Sequence, residues 1–191
     1  MKTIKPISRI ILAIGSLSML AAYFVPLWRI LLWAPQYPEG LEMKIFIDTL
    51  GGDVKIISAL NHYIGMRHIE VSMFPEFSYM IYIVGGMIAT GLLTALWGKR
   101  FMLVSYFLLI IAVGMAALLD FYLWGYDYGH NLDPSAAIKI EGMTYQPPLI
   151  GTKELLNFTA FSGPDVGGWV FIAVGLAIGG VLIYELMSNK K

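Results

Sequence analysis

Apolar residues fall in four long runs separated by two polar stretches. The runs cover about residues 10–33, 79–97, 101–124 and 168–187, each near the roughly 20 apolar residues that cross about 30 Å of hydrocarbon as a helix. They predict four transmembrane helices. The polar stretches span about 34–76 and 126–167, some 43 and 42 residues, long for structureless connections, so they are expected to fold together. The pattern predicts an all-α integral membrane protein, a single domain over 1–191, carrying a small mixed α/β cap.

The first run follows Lys2, Lys5 and Arg9 and passes from Ile10 through Pro26 to Trp33, with Trp28 and Trp33 placed as interfacial anchors. It outruns a signal peptide, and no small-x-small cleavage site follows Leu20, so it reads as a retained helix. Arg29 and Asp120 lie at matching depths near the same ends of the first and third runs, and an ionisable group at that depth needs a partner or water. They are expected to pair. Glu185, near the other surface, is expected to snorkel. Gly85, Gly86, Ala89 and Gly91, and the pair Gly175 and Gly179, offer small surfaces for close helix contact within one chain or between two.

Charge gives an orientation. The N-terminus, the turn at Lys99-Arg100 and the tail at Lys190-Lys191 hold seven of the thirteen basic residues, whereas the two polar stretches hold eleven of the thirteen acids. By the positive-inside rule both termini are cytoplasmic and both stretches face outward. The expected location is a bacterial inner membrane, with the cap on the periplasmic side.

Within the first polar stretch, Met43–Asp48 reads as a short strand. Gly51-Gly52-Asp53 reads as a turn, and Val54, Ile57, Leu60 and Ile64 recur at helical spacing up to a left-handed stop at Gly65. In the second, Asp133-Pro134 resembles a helix start, and Thr152 is placed to cap a further turn through Phe158.

Composition narrows the chemistry. The chain is 58% hydrophobic and 14% charged, well outside the soluble balance of about 45–50% and 25%. It contains no cysteine and its formal net charge is zero, which removes thiol chemistry and the basic field that nucleic-acid binding requires. No phosphate-binding glycine loop, HExxH or GxSxG motif occurs, so no enzyme is indicated. The four runs contain no histidine, so haem ligation inside them is not expected.

Soft or borderline metal ligands remain. His62, His68 and His130 all lie in the polar stretches, with Met43, Met66, Met73 and Met143. A glycine stop after His62 would turn the chain so that Met66 shares its side, and imidazole with thioether suits Cu(I) where no thiol is present. The alternative is that His62 interacts with its helix C-terminus while Met66 packs beneath. Asp127 and Asp133 flank His130 at three residues on either side; a metal site, a carboxylate-oriented imidazole and a turn closed by Asx hydrogen bonds all fit.

Four segments carry a resemblance: Trp33-Ala-Pro-Gln-Tyr-Pro-Glu-Gly-Leu41, Leu60-Asn-His-Tyr-Ile-Gly-Met66, Tyr126-Asp-Tyr-Gly-His-Asn-Leu-Asp133 and Gly142-Met-Thr-Tyr-Gln-Pro-Pro-Leu-Ile-Gly151. Over nearly its full length the chain resembles the small membrane proteins encoded beside nitrous-oxide reductase maturation genes and their copper chaperone. The resemblance implies an accessory role in copper delivery or retention, with that chaperone or the maturation factors as partners, and assigns no catalytic residue. The resulting expectation is Cu(I) held by His62, Met66, His130 and Met143, with Met43 and His68 in reserve. The rival expectation is a metal-free adaptor that docks a partner through outer aromatic residues such as Tyr37, Tyr63, Tyr126, Tyr128 and Tyr145.

Overall fold

The structure is a computed structural model describing residues 3–138, 140, 142–155 and 157–188. Lys2, Lys190 and Lys191, part of the basic flanks above, lie outside the described residues. Among the described residues the five α-helices are α1 (Pro6–Ser18, continued by a 3-10 segment Met19–Tyr23), α2 (Val54–Tyr63), α3 (Glu76–Trp97), α4 (Arg100–His130) and α5 (Val166–Ser188). Five strands are β1 (Trp28–Ala34), β2 (Tyr37–Ile45), β3 (Leu50–Gly52), β4 (Gly151–Leu155) and β5 (Phe158–Pro164).

Four helices are long and apolar enough to cross a membrane: α1 with its 3-10 extension, α3, α4 and α5. Their outward faces are apolar as well. Leu108, Met115, Leu119, Leu176 and Ile183 are all exposed, a pattern that suits lipid and would be costly in water. Within the bundle α1 touches α3 and α5, and α4 touches the same two. The shared core contains Leu12, Met19, Met87, Leu103, Tyr106 and Ile178. Gly175 and Gly179 face Ile110 and Phe107 of α4, so the small-residue pair serves a contact inside this chain. At one end, the Ile4 amide donates to the Gly98 carbonyl at 2.8 Å and Arg9 Nε donates to the Ala95 carbonyl at 2.6 Å, tying the N-terminus to the α3–α4 turn.

All five strands form one antiparallel sheet in the order β3-β2-β1-β5-β4. The expected all-α class is therefore corrected to mixed α/β. The first predicted span, 10–33, is corrected with it: its helix ends by Tyr23 and its last six residues, 28–33, belong to the central strand. Pro26 is the physical cause, because it lacks an N–H and steers Val25 away from helical geometry. Trp28–Ala34 then meets partners on both edges. Likewise residues 151–155 and 158–164 pair as a hairpin, where a capped helical turn had been expected.

The sheet stands directly on the bundle. The Asp165 amide donates to the Leu27 carbonyl at 3.1 Å and the Gly167 amide to the Pro26 carbonyl at 2.9 Å, so β1 and β5 are continuous with α1 and α5 at one junction. Strand alternation sends Trp28, Ile30 and Leu32 to one face. There they join Leu41, Met43, Ile57, Ile69, Tyr128 and Tyr145 in a second core. Arg29 alternates to the other face, where its guanidinium lies 5.8 Å from the Phe161 ring. Among the described residues the salt bridges are Lys44–Glu42 and Arg67–Asp127. The expected Arg29–Asp120 pair is absent because a strand, unlike a helix, turns consecutive side chains to opposite faces.

α4 explains how bundle and cap become one body. Its 31 residues rise roughly 46 Å at 1.5 Å each, well beyond about 30 Å of hydrocarbon. Its C-terminal turns project into the cap. Phe121 meets Trp28 edge-on at 5.6 Å, and Trp124 stacks on Tyr128 at 4.4 Å. The segment Tyr126–His130, expected in a turn region, is therefore helical.

Candidate functional site

The cap's candidate ligands sit where α2 ends beside the last turns of α4. α2 stops at Tyr63, and Gly65 takes φ +85°, with its amide donating to the His62 carbonyl at 3.1 Å. This left-handed turn reverses the chain. A side chain at Gly65 would press on Asp133 and Ala136, so the reversal also seats the segment after α4.

The reversal returns His68 onto His62. Their rings stack at 4.9 Å between centroids and 20° between planes, and both residues are exposed. His68 Nδ1 lies 3.1 Å from Ser58 Oγ, which also accepts the Ile69 amide at 2.9 Å. In the tautomer whose Nδ1–H donates to Ser58, His68 Nε2 presents a free lone pair. The Tyr128 hydroxyl donates to the His68 carbonyl, and Arg67 pairs with Asp127. Residues 67 and 68 are thus held to α4 by two contacts.

The other expected ligands are placed separately. His130 stacks on Tyr126 at 3.9 Å, and its Nδ1 lies 2.8 Å from the Tyr126 carbonyl. Met66 is buried at 8% exposure, and Met143 packs against the same apolar cluster. Met43 lies in that cluster too, while Met73 is 37% exposed. Of the expected set, His62 is thus joined by its reserve, His68, while Met66 and Met143 share the cap core. Asp127 and Asp133 do not converge on His130. Asp127 binds Arg67 and Asn131, while Asp133 Oδ1 accepts the Ser135 amide at 2.7 Å. Among the described residues no group of three or more His, Asp or Glu gathers as a metal site.

The Gly65 reversal, expected to bring Met66 to the side of His62, instead returns His68, two residues further on, to the end of α2. The signal was present in the spacing His62-x5-His68 across a glycine stop. Ser58, 6% exposed, had no sequence signal, since a serine on a helix is ordinary. Ser58→Ala should cost about 1–2 kcal/mol by leaving the buried Ile69 amide without its acceptor. Thermal unfolding in detergent measures this, and hydrogen exchange should rise at residues 66–69.

No protein-family model, curated protein or solved structure matches the chain.

Proposed function

We propose that this is a non-enzymatic accessory protein of the bacterial inner membrane whose periplasm-facing cap receives or passes Cu(I) for a copper enzyme of the nitrous-oxide reductase type. The observation that supports this reading is the exposed His62–His68 stack. Two imidazoles side by side, in a chain without cysteine, are a donor set suited to a monovalent copper ion. Ser58 would orient one ring from behind, the outer hydrogen bond that metal-binding histidines commonly make. Exposure suits transfer, because a ligand pair at the surface can hand its ion to a docked copper chaperone or maturation factor.

The test is anaerobic Cu(I) titration of the purified protein against a chromophoric chelator. The parent is expected to bind near one equivalent, and His62→Ala with His68→Ala to weaken binding at least tenfold. Met66→Leu, which keeps the core filled, His130→Ala and Met143→Leu report whether the remaining candidates contribute. Unchanged binding in the double histidine variant would defeat the assignment to this pair.

A second reading, the metal-free adaptor, has its own observation. The sheet face opposite the cap core carries Arg29, Leu31, Trp33 and Phe161, with Trp33 37% exposed, an aromatic and arginine surface of the kind that anchors interfaces. Under that reading Trp33→Ser weakens partner capture while the double histidine variant leaves it intact.

A further inference from the structure

The end of the bundle away from the cap gathers positive charge through tertiary contacts. Thr3 forms an antiparallel bridge with Lys99, and the Ile4 amide donates to the Gly98 carbonyl at 2.8 Å. The segment before α1 therefore lies along the α3–α4 turn, which brings Lys5 and Arg9 to the same end as Lys99 and Arg100. Arg9 is fixed in place. Its Nε donates to the Ala95 carbonyl at 2.6 Å and its Nη2 to the Leu96 carbonyl, satisfying acceptors in the last turn of α3 that a helix leaves unpaired. A guanidinium has five N–H donors, so an edge of it stays available. Lys5 Nζ donates to the Tyr184 hydroxyl of α5 at 3.0 Å.

Acid does not balance this charge. Glu185 is the acid at this end, and it is 1% exposed with its Oε1 accepting Ser8 Oγ and the Lys5 amide. Among the described residues both salt bridges, Lys44–Glu42 and Arg67–Asp127, lie in the cap. Like charges gathered beside hydrocarbon repel, and an anion shared among them removes that cost. The depth names the anion. Trp97, Phe101 and Tyr184 are exposed at this end, the pattern of side chains that sit at headgroup level. The cluster thus stands in the layer where lipid phosphates lie.

We propose that this cluster binds an anionic phospholipid, its phosphate held by the available edge of Arg9 and by the Lys99 and Arg100 side chains, and its acyl chains lying on the outward faces of α3 and α4 past Leu96 and Phe101. Arg9 separates a built site from a diffuse positive field, because the two carbonyls aim its planar fork and lysine would keep the charge but lose the fork. The proposal does not use the copper reading. His62 and His68 lie in the cap, at the other end of α4.

The test is native mass spectrometry of the full chain released from nanodiscs containing equal phosphatidylglycerol and phosphatidylcholine. The parent is expected to retain phosphatidylglycerol about tenfold over phosphatidylcholine, and Lys99→Gln with Arg100→Gln to reduce that preference to about twofold, since each basic residue near a bilayer surface contributes measurably to anionic-lipid attraction. Arg9→Lys, at unchanged net charge, should lower it about threefold. Lys55→Gln, an equal charge change in the cap, should leave it unaltered. Thermal unfolding checks that the Lys99/Arg100 variant, whose side chains make no bond that holds the fold, remains folded. Equal retention of the two lipids by the parent, an equal loss in Lys55→Gln, or full preference in Arg9→Lys overturns the proposal. Displacement of the lipid by millimolar inorganic phosphate also overturns it, because the site would then be one for a free anion.

Discussion

Alanine at Gly129 is expected to destabilise the protein by about 3 kcal/mol, the upper range for overpacking, and to release the segment around Tyr145 from α4. A Cβ there would lie 2.3 Å from the Gln146 nitrogen, 2.4 Å from its Cα and 2.8 Å from the Tyr145 carbonyl carbon. These are backbone atoms and cannot rotate aside. The contact is also bonded, since the Tyr145 amide donates to the Gly129 carbonyl at 3.0 Å. Helix propensity acts in the opposite direction, favouring alanine over glycine by about 1 kcal/mol, so the expected sign rests on the clash. Gly114, in the same helix, supplies the control because a Cβ there meets nothing within 4 Å. Gly114→Ala should be neutral or slightly stabilising. Thermal unfolding in detergent separates the two variants, and hydrogen exchange at residues 143–149 should rise only for Gly129→Ala.

Leucine at Glu185 should destabilise by a similar amount, again about 3 kcal/mol. Glu185 is 1% exposed and does not snorkel as expected. Its Oε1 accepts Ser8 Oγ at 2.5 Å and the Lys5 amide at 2.9 Å. The Lys5 side chain makes no capping bond to α1 and Pro6 opens that helix, so a carboxylate from α5 serves the start of α1 across the bundle. Leucine would leave both donors unpartnered, at about 1–3 kcal/mol each. Glutamine keeps an acceptor oxygen and should lose about 1 kcal/mol. Ser8→Ala in the leucine background should recover part of the loss, because one of the stranded donors is then gone. Equal unfolding temperatures for the leucine and glutamine variants would show that the capping bonds are not what holds this position.

Legibility differed sharply between bundle and cap. α3, α5 and the membrane part of α4 were readable because a run of about 20 apolar residues allows little else. α2 was readable from its apolar spacing and glycine stop, and it forms at Val54–Tyr63. β1 was not, since a short apolar run reads alike as buried strand or as helix, and it lay flush against a true span. The continuation of α4 to His130 was hidden by Asp127 and Gly129. Those residues signal a turn locally, but here aspartate pairs with Arg67 and glycine admits the Gln146 backbone.

The candidate site shows the same division. That His62 sits at the end of a short helix followed by a reversal was written in residues 54–66. That His68 rather than Met66 stacks on it depended on which side chains the sheet drew into the cap core, and Met66, Met43 and Met143 all went there.

By itself the sequence determined the four apolar helices, the two stretches that meet at one end and the absence of thiol chemistry, because chain length, hydropathy and composition act residue by residue. Only the tertiary structure decided that Trp28–Ala34 is the centre of a sheet, that Glu185 caps another helix and that two histidines stack. Each of these depends on partners many residues away, and a strand edge, a buried carboxylate or a stacked ring has no meaning until the fold supplies that partner.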